Sequence, residues 1–572
     1  MNLKAPWLNG YGNVSHTLDY PDTTLSEQVL GIAAKKGDKT ALVFMGRNIS
    51  YSHMAKMIEK TAKAFAAAGV AKGDFVTLCM PNVPQTVYAF YALNMLGAVA
   101  SMIHPLSAEG EILYYLQQTG SKVIVTLDQF VPKVLEVHRE YALDKIIVAD
   151  IADELSAVKG AAYRLISGRK NPKPAYNSTV VKWSDFLDSG SKYDGIYKSG
   201  MHKDDTAVIL FSGGTTGVSK GIELSSFNFN ALAYQTAEMS QCDVENCSML
   251  AAMPMFHGFG LGVCVHTLLA IGGTSILVPR FNVEEYAKLI KKCRPNFIAG
   301  VPTLFEAIAN SSYLDGVKLD CLRGVFSGGD SLAPDLKKKI DAFLESHGAD
   351  VRVREGYGTT ECVTASCLTP YLNEKEGSIG LPFPDTYYKI CELGTTAEVE
   401  YGQLGEICIS GPTVMKGYLN HEEETANTLE THEDGMLWLR TGDLGYMDND
   451  GFVYFKQRIK RMIITSGYNV YPSQIESIFN AHEAVLLSCV IGVPDPRKIQ
   501  KVKAYVILAD GYEPTEELKE KLFEYCRRHI AKYAMPYDIE FRESLPKTKV
   551  GKIAYGELEK EAIEKEKEMV EA

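Results

Sequence analysis

Ala207-Val-Ile-Leu-Phe211 runs directly into Ser212-Gly-Gly-Thr-Thr-Gly-Val-Ser-Lys220-Gly221, and the reading of that join decides the fold. The apolar, β-branched run bounded by glycines predicts a buried strand ending in a turn. Gly213, Gly214 and Gly217 let the backbone bend tightly and aim N–H groups at phosphate oxygens. The hydroxyls of Ser212, Thr215, Thr216 and Ser219 add donors, and Lys220 adds charge. The loop is not a Walker A motif, which needs Gly-Lys-Ser/Thr contiguous at its end.

Outward from this strand, short β-branched runs such as Lys122-Val-Ile-Val-Thr126 alternate with longer amphipathic segments. Residues 284–293 read as a helix with Tyr286, Leu289, Ile290 and Cys293 on one side, closed by Pro295. Such alternation predicts α/β layers with largely parallel sheets. Beyond about residue 456 the texture changes. Strand-like runs at 486–493 and 502–508 flank short helices, and Leu518, Leu522, Cys526 and Ile530 recur at helical spacing after Pro514. The expectation is α/β: a large N-terminal multi-sheet α/β domain (1–456), a hinge (457–460) and a small mobile C-terminal α+β domain (461–572). The charge-rich stretch from Gly556 reads as a surface helix that frays.

The chain has 572 residues, 46% hydrophobic and 23% charged, with a formal charge of −12. These are the proportions of a globular protein too long for one core. The acidic balance argues against sequence-blind binding of nucleic acid. Twelve cysteines without a CxxC pair read as reduced, mostly buried thiols, not as a zinc site. No secretory signal is visible. The uncharged run 86–103 contains Asn94 and Gly97, and reads as a buried helix continuing into a core strand rather than a membrane span. The expected location is the cytoplasm. One segment departs from the acidic average: Lys159, Arg164, Arg169, Lys170, Lys173 and Lys182 occur with no acid among them. Residues 159–182 are therefore a candidate for peripheral contact with anionic lipid, set against a plain solvated insertion.

Further blocks follow the glycine loop: Pro254-Met-Phe-His257-Gly-Phe-Gly260, Ser327-Gly328-Gly329-Asp330, Glu355-Gly-Tyr-Gly-Thr-Thr-Glu361, Trp438-Leu-Arg-Thr-Gly-Asp443-Leu-Gly445, Arg458-Ile-Lys460 with Gly467 beyond it, and Leu545-Pro-Lys-Thr-Lys-Val-Gly-Lys552-Ile. In this order, from about Ile49 to Leu558, the chain resembles the superfamily of acyl-CoA synthetases, amino-acid adenylation domains and beetle luciferases. The resemblance implies ATP, Mg2+ and coenzyme A as cofactors and a small-molecule carboxylic acid as substrate. It implies a nucleotide held by Ser212, Gly213, Gly214, Thr215, Thr216, Gly217, Ser219, Lys220, Gly328, Gly329, Glu355, Gly356, Tyr357, Gly358, Thr359 and Thr360. Within that set Tyr357 would stack on adenine and Thr360 contact phosphate. Asp443 would grip the ribose, with Arg458 beside it, and Glu361 would help hold Mg2+, which favours hard oxygen ligands shared with substrate phosphates. Lys552, His257 and Thr216 are the implied catalytic residues. Lys552 neutralises charge as carboxylate and α-phosphate approach, and His257 orients the acid, which is already ionised at neutral pH and needs no base. Lys460 would be the hinge, and Gly467 would lie beside the pantetheine arm.

Within the superfamily, His257 stands where amino-acid-activating members usually place an Asp for the substrate ammonium, so amino acids are poor candidates. Gly258, Gly260 and Gly262 are expected to leave room for an elongated apolar tail. The form Gly213-Gly-Thr-Thr216, Glu355, the opening Trp7-Leu-Asn and Met80-Pro-Asn-Val-Pro84 look most like bacterial medium- and long-chain fatty acyl-CoA synthetases. An aryl acid, an acyl carrier protein as thiol acceptor, and a catalytically idle ATP-binding relative stay open as alternatives. Departures from the pattern are Ile499-Gln500 for a common Gly-Glu pair, Ser226 for a basic residue or His, and Tyr555 for a frequent Arg.

Overall fold

The computed structural model describes residues 5–166, 168, 171–198, 200–212, 219–465, 468–495, 497–548 and 552–571. Two sheets, each parallel over most of its strands, form the bulk of the large lobe. In the first, the order is Gly417–Tyr418, Gly221–Ser225, Thr206–Phe211, Val99–Met102, Phe75–Cys79, Val123–Leu127, Lys145–Ala149 and Val180–Lys182. It is parallel from Thr206–Phe211 outward to Val180–Lys182. In the second, Val353–Tyr357, Gly324–Gly328, Phe297–Gly300, Ser248–Ala251, Thr274–Leu277 and Thr40–Phe44 run parallel, with antiparallel strands at both edges. The runs read as strands at 122–126 and 207–211 occupy Val123–Leu127 and Thr206–Phe211, each buried for most of its length because helices cover both faces.

The helix Pro84–Leu96 sits inside this lobe with all of its residues buried, so its sequence carries no amphipathic period. Gly97 at φ 79° ends it in the left-handed conformation that glycine adopts without cost, and the chain enters the strand Val99–Met102. Among the described residues no helix is long and apolar enough to cross a membrane. Asn94 is the polar staple of this helix. Its Oδ1 accepts from the Ser26 N–H at 2.8 Å and its Nδ2 donates to Ser226 Oγ at 3.1 Å, tying three helices together.

A third, antiparallel sheet follows: Tyr387–Cys391, Gly405–Ser410, Leu437–Met447 and Leu429–Thr431, with Val453–Arg458 also on Leu437–Met447. The chain then changes sheet. After the turn Ile459–Arg461, the strand Ile463–Thr465 pairs within a fourth sheet with Tyr468–Val470 and Ile499–Leu508, the latter also pairing with Val485–Asp495 and Asp538–Phe541. Alternate residues of Val485–Asp495 face two cores. Val490 packs with Phe479, Leu522 and Cys526 on one side. Cys489, Ile491 and Val493 pack with Tyr555, Leu558 and Ala562 on the other. The terminal helix Tyr555–Glu571 is therefore docked through its first turns, where a fraying surface helix was expected. All twelve cysteines are free thiols, most of them buried.

Asn94→Leu is expected to lower the thermal unfolding temperature, by the equivalent of about 1–3 kcal/mol, because it strands the Ser26 N–H in the core. Differential scanning calorimetry checks this, and an unchanged transition would contradict the staple.

Candidate active site

The strands Thr206–Phe211 and Gly221–Ser225 are antiparallel, with Phe211 opposite Gly221, so the glycine-rich loop is the tip of a hairpin. Its base is clamped. The Ser212 N–H donates to the Lys220 carbonyl at 3.0 Å, the Lys220 N–H to Ser212 Oγ at 3.0 Å, and Ser219 Oγ to the Ser212 carbonyl at 2.6 Å. Gly213, Gly214, Thr215, Thr216 and Gly217 lie outside the described residues. The strand Gly417–Tyr418 flanks the hairpin and brings a residue the sequence reading missed. The Tyr418 ring lies under the Lys220 ammonium at 4.5 Å, and its hydroxyl donates to Glu361 Oε1 at 2.9 Å. Cation, phenol and carboxylate thus meet beside the glycine-rich loop. Among the described residues no cluster of three or more metal-ligating side chains occurs. Glu361, a hard oxygen donor oriented by Tyr418, fits a Mg2+ ion that completes its shell with phosphate and water.

At the ends of two adjacent parallel strands, Gly328 and Gly356 stand opposite each other, so backbone forms the floor there, with the Phe259 ring and the Leu368 side chain packed against one side of it. Gly329 follows at φ 83°. Glu355, opposite Ser327, accepts from the Leu332 N–H at 3.0 Å, and burial pushes its carboxyl up to about 7. A Cβ at Gly358 would lie 2.0 Å from the Thr364 carbonyl oxygen, so this position admits only glycine. Buried Thr359 precedes the turn Thr360–Cys362, which carries Thr360 and Glu361.

Tyr357 closes the strand, and its hydroxyl donates to Asp443 Oδ2 at 2.6 Å, joining the second sheet to the third. Asp443 is 1% exposed and faces Arg458 across the ladder, with Nε 3.0 Å from Oδ1. That ion pair is out of hydrogen-bond alignment, and Oδ1 has no other partner among the described residues. Burial raises the Asp443 carboxyl above its usual range, while Arg458 and Tyr357 oppose the shift. A buried carboxylate oxygen with acceptor capacity to spare suits a ribose hydroxyl.

His257 precedes the π-helical segment Phe259–His266. Its Nδ1 accepts from the Phe259 N–H at 3.2 Å, which leaves the ring proton on Nε2. Burial first, then the Lys552 charge, pushes the imidazole down to about 4. The ring is therefore a neutral donor at physiological pH. The neighbouring glycines do not leave room for a tail, as had been expected. A Cβ at Gly258 would meet the Val363 oxygen at 1.8 Å, one at Gly260 the Pro254 oxygen at 2.1 Å, and one at Gly262 the Leu232 side chain at 2.6 Å. Gly258 and Gly260 let backbones touch, and Gly262 makes room for the Leu232 side chain.

Lys552 arrives from the small lobe on a loop closed by the Lys547–Ile553 bridge. The Thr548 N–H donates to the Lys552 carbonyl at 2.6 Å, and the Lys552 N–H to Thr548 Oγ1 at 3.1 Å. Burial lowers its ammonium below the ordinary lysine range. Asp330 and Asp443 pull it up, and Arg458 pushes it down. Lys552 thus sits within electrostatic reach of Asp330, Asp443, Arg458 and His257, all from the large lobe, and among the described residues it makes no ion pair. Lys460 is exposed on the turn where the chain changes sheet. Gly467 lies outside the described residues. Ile499, in place of the common glycine, holds φ 73°, and Gln500 accepts from the Ile464 N–H at 2.8 Å. Tyr555 lies under the Arg461 guanidinium at 4.7 Å.

Residues 31–419 match the family described as AMP-binding enzyme, and residues 474–552 match its C-terminal domain. The chain is 34% identical to a long-chain-fatty-acid–CoA ligase of Bacillus subtilis, covering 99% of both chains. It is 32% identical to one of Yersinia pestis, covering 98% of this chain and 99% of that one. Among solved structures, an o-succinylbenzoate CoA synthetase of Bacillus subtilis bound to its acyl-adenylate intermediate aligns with a TM-score of 0.75 at 25% identity, over 95% of this chain and 98% of that one. ATP-bound MatB of Rhodopseudomonas palustris aligns with a TM-score of 0.80 at 24% identity, over 95% and 99%, and shares the fold. By family match and by full-length identity above 30%, the chain belongs to the AMP-binding enzyme family.

Proposed function

We propose that the protein is an AMP-forming acyl-CoA synthetase acting on a hydrophobic carboxylic acid of the medium- to long-chain fatty class. The observation that carries this reading is the convergence of Lys552 from the small lobe on Asp330, Asp443, Arg458 and His257 of the large lobe. The full-length likeness to long-chain-fatty-acid–CoA ligases supports the substrate class and coenzyme A as the acceptor.

In the first half-reaction a carboxylate oxygen attacks the α-phosphorus of ATP and the bond to pyrophosphate breaks, giving acyl-AMP. Two anions must approach each other, and the Lys552 ammonium stands between them. In a desolvated site a preorganised cation of this kind contributes roughly 3–4 kcal/mol. His257 donates from Nε2 to the acid and fixes its direction. Ser212, Ser219, Lys220 and the loop residues 213–217 hold phosphate. Tyr357 and the Gly328–Gly356 floor take the base, and Asp443 with Arg458 takes the ribose. Glu361 would hold Mg2+, which when bound neutralises phosphate charge. In the second half-reaction the thiol sulfur of coenzyme A attacks the acyl carbonyl, AMP leaves, and the thiol proton passes to solvent. The turn at Lys460 serves as the pivot that withdraws Lys552 and exchanges it for the Gly467 side of the small lobe. The basic segment 159–182 makes peripheral contact with anionic lipid.

Lys552→Ala should slow acid-dependent pyrophosphate exchange by about 10²–10³-fold while sparing thioester formation from supplied acyl-AMP and coenzyme A. Equal loss of both steps refutes the assignment. The His257 imidazole should stay neutral until about pH 4 in an NMR titration. Since the unfolded chain takes up that proton near 6.5, this group's contribution to stability declines as pH falls from 6.5 towards 4; a midpoint near 6.5 in the native protein contradicts the site. Tyr418→Phe should raise the Mg2+ concentration at half-maximal exchange by about tenfold, the usual cost of losing a group that orients a metal ligand. An unchanged Mg2+ dependence removes Tyr418 from the site.

A further inference from the structure

We propose that the helix Ala157–Ile166 docks on an anionic bilayer, its apolar stripe in the interface and Lys159 and Lys292 against headgroup phosphates. The helix is seated by its small-residue side. A Cβ at Gly160 would lie 2.9 Å from the Ala152 carbonyl oxygen, so the backbone rests directly on the turn Ile151–Glu154. Arg164 fixes the rotation of the helix through ion pairs with Asp150 at 3.0 Å and Asp153 at 2.7 Å, acids that lie outside the basic segment itself. What then faces outward is apolar. Val158, Leu165 and Ile166 are 82%, 67% and 75% exposed, and Ala161 and Ala162 between them are exposed as well. Positions i, i+3, i+4, i+7 and i+8 form one helical face, the pattern of a helix that buries that face, yet here no part of the described chain covers it.

Beside this stripe, the turn at Met45 and Gly46 presents a further exposed apolar side chain, Met45. Two ammonium groups converge on it. A Cβ at Gly46 would lie 2.9 Å from Lys292 Nζ and 3.2 Å from Lys159 Nζ. Lys159 Nζ donates to the Met45 carbonyl at 3.4 Å, and among the described residues neither lysine is in an ion pair. Like charges brought together beside an apolar surface, on a chain whose net charge is −12, are relieved by an external anion. A headgroup phosphate supplies the anion and the acyl boundary below it receives the stripe. Charge decides against a second copy of the chain as occupant, because docking this face on itself would set lysine against lysine. Arg169 and Lys170 of the same basic segment lie outside the described residues. The surface stands on geometry alone. Its use, to collect an acid that partitions into lipid, rests on the proposed function.

The test is co-sedimentation of the full chain, without substrates, with vesicles of phosphatidylcholine alone and of equal parts phosphatidylcholine and phosphatidylglycerol. The wild type should pellet with the mixed vesicles and far less with the neutral ones. Lys159→Glu and Lys292→Glu should each weaken binding at least fivefold, about the worth of one cation at such a surface. The double variant L165E/I166E should abolish it, while pyrophosphate exchange with a water-soluble acid stays at the wild-type rate in every variant. A wild type that stays in the supernatant, a double variant that pellets as before, or a wild-type dimer that L165E/I166E dissociates would each overturn the proposal. Binding is read without catalysis, so failure of the acyl-CoA synthetase reading would leave this result standing, and the reverse.

Discussion

One positive charge in a low-dielectric pocket is the constraint on which the rest of this architecture turns. An ammonium loses hydration when buried, and Lys552 is accordingly held below the ordinary lysine range. Its loop spends that cost where two carboxylates, Asp330 and Asp443, partly offset it. Neither is close enough to form an ion pair, so the charge is left available to arriving anions. At an effective dielectric constant of about 20, unit charges roughly 4 Å apart interact by about 4 kcal/mol. That is the scale of the repulsion between a carboxylate and a phosphate that a cation between them can cancel.

The large lobe contributes fixed recognition, and its sheets explain how. Parallel strands end together, so Gly328 and Gly356 face each other as a floor of backbone. The hairpin that carries the glycine-rich loop is clamped at its base by Ser212, Ser219 and Lys220. The Tyr357–Asp443 hydrogen bond joins the second sheet to the third, and the Asp443–Arg458 register carries that link to the last strand before the chain changes sheet. Asp443 and Arg458 thus face each other at the end of one antiparallel ladder, directly before the turn that carries Lys460. On the proposed mechanism, rotation about the hinge at 457–460 moves Lys552 while the large lobe keeps the nucleotide.

Much of this was legible in the chain itself. The strand at 207–211, the buried helix that runs on into a strand near residue 99, and the strand-like runs of the small lobe at 486–493 and 502–508 follow from hydrophobic pattern and glycine placement. The order of blocks from Ser212 to Lys552 led to the family to which the chain belongs. Other features were hidden for physical reasons. Tyr418 reaches Glu361 only because a two-residue strand pairs with Gly221–Ser225, a long-range register with no local signature. Gly258, Gly260 and Gly262 looked like space for a ligand because composition cannot distinguish an open channel from two backbones in contact; the Val363 and Pro254 carbonyls decide for contact. The terminal helix looked free because its charges outnumber Leu558 and Ala562, the residues that dock it. The outward apolar face of residues 158–166 was likewise invisible, since a stripe in sequence does not say which way it points.

On the proposed mechanism the Lys552 amine works inside a closed cleft, and competitive amine labelling followed by mass spectrometry across a pH series tests this most directly. The account predicts that Lys552 titrates below the protein's surface lysines and that ATP with a fatty acid protects it from reagent, while exposed lysines such as Lys288 are unaffected. A Lys552 that titrates like its surface counterparts and labels at the same rate with and without ligands would contradict the account.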